Sequence, residues 1–255
     1  MKFYVCVKHV PDTAASIKVM GDADYDKTVK FVMNPYDEYA LEEAVQQKQA
    51  LGGEVVAITV GGKESVATLR SALAVGADRG ILVTAGTVFL DSGKTAQALA
   101  TAIEKDGGAD LIFMGKQSVD TEGMQTHYRL AKTMKVPVAN EVVSLTLEEG
   151  RVVVEHEVGA GDREVLELSM PCVLGATKGL NEPRYPKLPD ILKAKKKPIQ
   201  EMNLSDLGIA DQADTATVAK LLALPERGAA TMLSGSVEDM VKELIDRLST
   251  EAEVL

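Results

Sequence analysis

The sequence predicts an α/β fold in which helices cover both faces of a doubly wound, mostly parallel β-sheet. Four short apolar segments rich in β-forming residues alternate with segments of helical periodicity. Strands that are apolar on both faces and separated by helices are typical of βαβ units, whose right-handed crossovers make neighbouring strands parallel. Later alternating segments predict an added antiparallel hairpin, and an amphipathic C-terminal segment predicts an arm.

The four strands of the parallel sheet are predicted at residues 3–7, 55–60, 80–83 and 111–114. The first helix should start at Asn34-Pro35, because asparagine is a good N-cap and proline suits the first helical position, and Asp37 lies in the first turn. This helix should end at Gly52-Gly53, since glycine is favoured just beyond a helix C-terminus.

Three more helices are predicted in this half of the chain. Their apolar residues follow helical spacing and precede a glycine at Gly76 for the second helix and at Gly107 for the third. The fourth covers about 127–134. Beyond Pro137, segments 143–147 and 152–158, joined through 148–150, predict a solvent-facing hairpin, and 164–170 predicts one more strand.

We expect residues 1–200 to form one α/β domain and residues 201–255 to form the C-terminal arm. The arm begins with a polar connector, and its helix is predicted at about 236–248, where apolar residues form one stripe. A chain of 255 residues is long enough for this organisation.

Composition excludes several classes of function. The net charge of −10 disfavours binding to nucleic acid, which needs a basic face. The mean hydropathy is +0.00, and the apolar segments are too short to insert into a membrane. Cys6 and Cys172 lie in apolar segments, so buried free thiols are predicted rather than a disulfide. We expect a cytoplasmic protein without a signal peptide.

The long loop after the fourth predicted strand is a candidate phosphate-binding element. Loops at the carboxyl ends of parallel strands lead into helix N-termini, whose free N–H groups suit a phosphate. The alternative is an ordinary connection between strand and helix. The loop comprises Gly115, Lys116, Gln117, Ser118, Val119, Asp120, Thr121, Glu122, Gly123, Met124, Gln125 and Thr126.

Motifs for catalysis are missing from the sequence. Gly93-Lys94-Thr95 resembles the end of a P-loop, but Val88 stands where that motif requires glycine. The three histidines lack metal-ligand spacing with the cysteines, and no G-x-S-x-G elbow occurs. The sequence therefore predicts a binding module without catalytic residues of its own.

Segment 178–199 is an unusual surface element. Pro183, Pro186 and Pro189 predict an extended, ordered segment, and Leu188 between two prolines is poorly placed to reach a core. Such a leucine, followed by a cluster of lysines, suggests an anchor offered to a partner. A Pro-rich connector with a solvated basic turn is the alternative.

This segment resembles the signature of the beta (small) subunit family of electron transfer flavoprotein. The resemblance rests on Asn181-Glu182-Pro183-Arg184-Tyr185, Leu188-Pro189 and 193–197, and it extends with gaps over 5–235. It implies a Rossmann-like domain that binds AMP structurally, while an alpha (large) subunit holds most of the FAD site. The implied AMP contacts are Cys6, Asn34, Pro35, Tyr36, Asp37, Val60 and the loop Gly115 to Thr126.

The resemblance also implies partners and a role. Electrons would come from soluble dehydrogenases, such as acyl-CoA dehydrogenases, and pass to a quinone oxidoreductase or another acceptor. The arm 201–255 would contact the large subunit. Leu188 would dock into dehydrogenases, and the implied partner-binding residues are Tyr185, Leu188, Pro189, Ile191, Lys193 and Lys196.

Three positions depart from the family pattern. In the loop, Met124 and His127 flank Gln125-Thr126, where the family has asparagine and glycine. After the first strand, Thr13 replaces an aromatic residue. In the hairpin, His156 replaces an arginine. Two alternatives remain open. One is a bifurcating subunit with a second FAD in place of AMP, which is disfavoured because Thr126 offers a hydroxyl to a phosphate. The other is a stand-alone adenine-nucleotide stress or signalling module.

Overall fold

A nine-stranded sheet with helices on both faces dominates the fold of the computed structural model, which describes residues 1–86, 89–223, 225, 228–252 and 254. The strands are β1 (Lys2–Cys6), β2 (His9–Pro11), β3 (Val19–Met20), β4 (Asp24–Tyr25), β5 (Phe31–Met33), β6 (Glu54–Gly61), β7 (Arg79–Thr84), β8 (Leu111–Gly115), β9 (Val138–Glu148), β10 (Arg151–Gly159), β11 (Asp162–Ser169), β12 (Cys172–Ala176) and β13 (Ile199–Asn203). The helices are α1 (Pro35–Leu51), α2 (Val66–Val75), α3 (Ser92–Lys105), α4 (Thr126–Met134), α5 (Leu188–Ala194) and α6 (Val237–Thr250), with a 3₁₀ turn at Lys63–Ser65.

The strand order in the sheet is β11-β10-β9-β12-β8-β1-β6-β7-β13. Pairing is parallel from β9 through to β13, and β10 and β11 are antiparallel to their neighbours. The chain passes from β1 to β6 on one side, and later returns to β8 on the other side of β1. This reversal places a topological switch point at β1 and β8, where open sheets bind ligands.

Alternating side chains of β1 reach both helical layers. Phe3 and Val5 pack with Leu41 of α1 and Leu73 of α2 in one apolar core. Tyr4 and Cys6 pack on the opposite face with residues of α3 and α4, including Leu99 and Leu130. Burial on both faces explains the continuous apolar strands in the sequence, and it confirms the predicted doubly wound fold.

The glycine that stops α1 is held close to the N-terminus. Gly52 and Gly53 have positive φ angles of 76° and 115°. A Cβ on Gly53 would lie 2.1 Å from the carbonyl oxygen of Met1, so a larger residue would collide with the backbone beside β1. The predicted end of this helix is therefore enforced by both conformation and space.

The hairpin is not an isolated, solvent-facing unit. Strands β9, β10 and β11 continue the main sheet through the parallel pairing of β9 with β12. Val152 and Val154 on β10 are buried in the core that also contains α1, while Val165 on β11 is exposed. The expectation of a solvent-facing hairpin was therefore wrong for one of its faces.

The segment 178–199 is only partly extended. Residues 180–187 have no helix or strand, and α5 then begins at Leu188 with Pro189 in its first turn and Asp190 beside it. Proline is compatible with a helix there because its missing N–H needs no partner. The expected extended segment thus ends in a short helix.

Two compact units divide the chain, residues 1–221 and 222–255. Strand β13 pairs with β7, so the sheet continues past the expected boundary at residue 200, and the first unit ends at Leu221. The second unit contains α6, which buries none of its residues. Among the described residues, no helix combines the length and apolar character needed to cross a bilayer.

Candidate functional site

A cavity of about 760 Å³ opens at the carboxyl ends of the central strands. Cys6 ends β1, Val60 and Gly61 end β6, and Met114 and Gly115 end β8, and all five line it. Its volume lies within the roughly 300–1,000 Å³ typical of small-molecule sites. Because it lies at the switch point of the sheet, it is the expected place for a ligand.

Asn34 and Asp37 fix the start of the long loop. Asn34 is 1% exposed, and its Nδ2 donates to Asp37 Oδ1 at 2.9 Å and to the carbonyl oxygen of Gln117 at 2.8 Å. Its Oδ1 accepts a hydrogen bond from the Val119 N–H at 3.1 Å. The side chain therefore bonds across to the loop instead of capping the helix that it precedes.

Asp37 connects three elements at the floor of the cavity. Its carboxylate accepts hydrogen bonds from the backbone N–H of Lys8 at 2.7 Å and of Gly115 at 3.0 Å, in addition to Asn34. A Cβ on Gly115 would lie 2.4 Å from Asp37 Oδ1, so glycine is required for this close approach. Burial raises the pKa of Asp37 to about 7, although the three donors favour its ionised form.

The middle of the loop is bound to Lys8. Lys8 Nζ lies 2.8 Å from Asp120 Oδ1 and 3.1 Å from Ser118 Oγ. Glu122 and Met124 have positive φ angles of 47° and 49°, which are uncommon for residues with a side chain. The loop around Gly123 is thus held in a defined conformation beside the cavity.

The two helix N-termini at the cavity differ in their capping. Asp91 caps α3, and its Oδ2 accepts hydrogen bonds from the N–H groups of Gly93 and Lys94. By contrast, α4 has no side-chain cap at Gln125 and no acidic residue in its first turn. Free N–H groups and the helix dipole make the N-terminus of α4, rather than that of α3, the better anion site.

Most of the residues expected at the nucleotide site line this cavity. Those that do are Cys6, Asn34, Asp37, Val60, Gly115, Lys116, Gln117, Ser118, Asp120, Thr121, Gly123, Met124, Gln125 and Thr126. Pro35, Tyr36, Val119 and Glu122 are not among its lining residues. Tyr36 instead packs beneath Lys116, whose Nζ lies 5.5 Å from the ring centroid.

Sequence reasoning missed several residues that also line the cavity. Lys8 and His9 follow β1, and Ser92 and Thr95 start α3, where strand ends and helix starts could have indicated them. The segment Ala216, Thr217 and Val218 gave no signal, because it lies in a polar stretch far along the chain. Thr215 beside it donates to Asp91 Oδ2 at 3.0 Å, which holds the segment near α3.

His127 and Cys6 carry buried titratable groups at the site. His127 is 2% exposed, its Nε2 has no hydrogen-bond partner among the described residues, and burial lowers its pKa to about 4. Cys6 is a buried free thiol, as is Cys172, and burial raises the pKa of both. Both thiols are therefore protonated and weakly reactive near neutral pH.

The proposed partner segment presents apolar side chains to solvent. Tyr185 is 94% exposed, Leu188 is 71% exposed, and Ile191 is exposed as well. Lys193 points outward and lies 3.5 Å from Asp190. Exposed large apolar residues grouped on one short element are typical of interaction surfaces.

The fold and the cavity define a doubly wound α/β protein of the kind that binds ligands at the carboxyl ends of its strands. A family model for the electron transfer flavoprotein domain matches residues 25–207. The chain is 36% identical to the electron transfer flavoprotein subunit beta of Bacillus subtilis (strain 168), with 100% of both chains aligned.

Two eukaryotic relatives show the same similarity. The chain is 39% identical to the mitochondrial electron transfer flavoprotein subunit beta of Arabidopsis thaliana over 100% of both chains. It is also 39% identical to the electron transfer flavoprotein subunit beta of Mus musculus over 96% of each. The chain belongs to the electron transfer flavoprotein family, which confirms the resemblance drawn from its sequence.

Proposed function

We propose that this chain is the small subunit of a heterodimeric electron carrier. With an alpha subunit it accepts electrons from soluble dehydrogenases, such as acyl-CoA dehydrogenases, and passes them to a quinone oxidoreductase or another acceptor. AMP is bound structurally at the switch-point cavity, and FAD is held mainly by the alpha subunit. Similarity to beta subunits over the full length of the chain supports this role.

The main observation that supports AMP binding is the uncapped N-terminus of α4 at the cavity. A phosphate there would meet free N–H groups at the start of α4 and the hydroxyl of Thr126. The cavity volume of about 760 Å³ accommodates a mononucleotide. The free N–H groups of α4 and the size of the cavity therefore support the binding of a mononucleotide.

The nucleotide has a structural role in this proposal. The cavity is bounded by the ends of β1, β6 and β8 and by the loop after β8, so a bound nucleotide would hold these elements together. A ligand that binds only the folded state stabilises it. FAD supplies the redox chemistry when it is bound, and the residues of this chain hold the small subunit in the form that pairs with the large one.

Segment 178–199 is the proposed docking element for dehydrogenases. Leu188 supplies an apolar anchor, and Pro189, Ile191 and Tyr185 lie beside it on the exposed surface. Lys193 and Lys196 add positive charge at the edge of the same element, where charge increases the rate of encounter with an acidic partner. A small apolar anchor of this type is suited to docking with several different dehydrogenases.

Co-expression with the alpha subunit tests the proposal. We expect a heterodimer that retains one AMP and one FAD after purification, measured by chromatography of the released nucleotides. Two FAD and no AMP would identify the bifurcating alternative. A stable homodimer of this chain that binds nucleotide and never pairs with an alpha subunit would overturn the proposal in favour of a stand-alone module.

A further inference from the structure

Two arginine contacts hold the docking element against α1 and α2. One lies before the exposed leucine and joins Arg184 to Glu42, and the other lies after it and joins Arg70 to the end of α5. We propose that Glu42 and Arg70 are positioning residues that keep Leu188 ready to dock before a dehydrogenase arrives. This inference rests on the proposed function, since it concerns how the proposed docking element is held.

The first contact is a partly buried bidentate ion pair. Arg184 Nε lies 2.7 Å from Glu42 Oε2, and Arg184 Nη2 lies 2.7 Å from Glu42 Oε1. The backbone N–H of Arg184 also donates to Glu42 Oε2, at 3.2 Å. Glu42 is 3% exposed, so its carboxylate is held in place, and the guanidinium group of Arg184 matches it with two parallel hydrogen bonds.

A neighbouring amide strengthens this first contact. Asn181 Nδ2 donates to the carbonyl oxygen of Tyr39 at 3.0 Å and to Glu43 Oε2 at 3.1 Å. Asn181 and Arg184 are therefore both bound to the same part of α1, between Tyr39 and Glu43. Because α1 also packs on β1 and β8, the contact fixes the position of the docking element relative to the sheet.

The second contact fixes the far end of α5. Arg70 on α2 donates from one guanidinium nitrogen to the carbonyl oxygens of Ala194 at 2.7 Å and Lys197 at 2.6 Å. Lys197 in turn donates to the carbonyl oxygens of Leu73 at 2.9 Å and Ala77 at 2.6 Å, at the C-terminal end of α2. The two elements are thus joined by reciprocal hydrogen bonds.

These contacts replace the core packing that the docking element lacks. Within α5 only Ala194 is buried, whereas Leu188, Ile191 and Leu192 are exposed. A helix of this length is not stable alone, and its exposed leucine adds nothing to folding. Ordering such a segment during docking would weaken binding, so holding it in advance favours association.

The contacts also divide the basic residues of this region into two groups. Arg184, Arg70 and Lys197 direct their charges toward carboxylate and carbonyl groups of this chain. The side chain of Lys193 remains 74% exposed. Charge that can attract a partner is therefore carried by the outward lysines, while the inward cations position the backbone.

Kinetic measurements on the FAD-loaded heterodimer test the proposal. In Glu42→Gln the bidentate pair with Arg184 is lost, and we expect KM for the heterodimer, with a reduced acyl-CoA dehydrogenase as donor, to rise about fivefold to tenfold. The kcat should stay within about twofold, because the docked complex is unchanged. Arg184→Lys keeps the charge but loses the fork and should raise KM less.

A double-variant cycle separates positioning from general stability. Since Glu42 acts through Leu188, Glu42→Gln should add little to KM in a Leu188→Ala background. Arg70→Met should behave like Glu42→Gln. Arg151→Gln, which removes two exposed ion pairs with Glu148 and Glu167 on the hairpin, is the matched control and should leave KM unchanged.

Hydrogen exchange gives the structural readout, with faster exchange expected at 181–197 in Glu42→Gln. Unchanged KM together with faster exchange would overturn the positioning role, as would additive effects in the double variant. If Leu188→Ala itself leaves KM unchanged, the docking part of the proposed function fails. If Leu188→Ala raises KM and the Glu42 and Arg70 variants do not, only the present inference fails.

Discussion

The Asn34 amide lies 2.9 Å from the Asp37 carboxylate, and the same amide group bonds to the carbonyl oxygen of Gln117 in the loop after β8. Two residues three positions apart at the start of α1 therefore set the position of the loop that follows β8. A ligand bound against the loop would also be coupled to β1, because the backbone N–H of Lys8, two residues beyond this strand, donates to the same carboxylate.

Replacing Asp37 with asparagine should loosen this arrangement. The Asn side chain would turn an NH₂ group toward N–H donors, so at least one of the hydrogen bonds from Lys8, Asn34 and Gly115 is lost. We expect the free energy of unfolding to fall by about 1–3 kcal/mol. Urea unfolding measures it, with Glu38→Gln, at an exposed position beside the buried Asp37, as control; equal effects of the two variants would contradict this role.

Removing the hydroxyl group of Thr126 should lower the affinity of the heterodimer for AMP about tenfold. Thr126→Val keeps the shape of the side chain at the start of α4 but removes the donor offered to a phosphate, and a hydrogen bond to a charged group contributes about 1.5–3 kcal/mol. Titration of nucleotide-stripped heterodimer with AMP measures the change. Thr133→Val, near the other end of α4, is the control, and equal AMP affinity in both variants would place the phosphate elsewhere.

His127 should make the protein sensitive to mild acid. Burial lowers its pKa from 6.5 to about 4, so the unfolded chain binds a proton first, and stability is lost as pH falls from about 6.5 toward 4. Between pH 7 and pH 5 the natural chain should lose about 1–2 kcal/mol more than His127→Gln. Urea unfolding at the two pH values measures this difference. Parallel pH profiles for the two proteins would exclude the effect.

Above the acid range, Asp106 should stabilise the amino ends of β1 and β7, where it contacts Lys2 and Arg79. Burial raises its pKa, but hydrogen bonds from Arg79, Lys2 and Tyr4 outweigh burial and lower it from 3.8 to about 2. Its contribution is present above pH 3.8 and is lost as pH falls toward 2. After allowance for solvent screening, Asp106→Asn should cost about 1 kcal/mol at pH 7.

Acid unfolding followed by circular dichroism checks the Asp106 prediction. The cost of Asp106→Asn relative to the natural chain should shrink below pH 3.8, since both proteins then lack the charge. Asp162→Asn at an exposed position is the control. A cost that stays constant down to pH 2 would show that the carboxylate charge is not responsible.

Leu188→Ala should weaken docking without disturbing the site. The leucine is 71% exposed, so its loss leaves the core intact, whereas a central apolar anchor typically contributes at least a tenfold change in binding. We expect KM for electron transfer from a dehydrogenase to rise about tenfold, with AMP and FAD contents unchanged. Leu51→Ala, at an exposed leucine that ends α1, is the control. Equal kinetics for both variants would show that the anchor lies elsewhere.

Local patterns predicted the parallel sheet because its strands are buried on both faces and its helices end at glycines such as Gly52. The same reasoning missed β13, where Ile199–Asn203 is an edge strand whose residues are mostly exposed and polar. It also treated the hairpin as separate, since the pairing of β9 with β12 joins distant parts of the chain. Neither contact leaves a periodic signal in the sequence.

The candidate site was predictable where its residues are contiguous. The loop from Gly115 to Thr126 follows a buried strand and precedes a helix, so its position was evident. Lys8 and Asp91 contribute through contacts across the fold, and the segment Ala216 to Val218 lines the cavity next to Thr215, which bonds to Asp91. Such long-range contacts depend on the completed sheet, which single-sequence patterns do not describe.

The pairing of Ile199 with Gly80 has a consequence for synthesis of the protein. Strand β7 is made early, yet its outer edge has no partner until residues 199–203 have left the ribosome. Parallel pairing between segments so far apart is slow, and an uncovered strand edge can associate with other chains. The nascent chain is therefore prone to aggregation until β13 has been made, and a chaperone that shields β7 during this time would improve the yield of folded molecules.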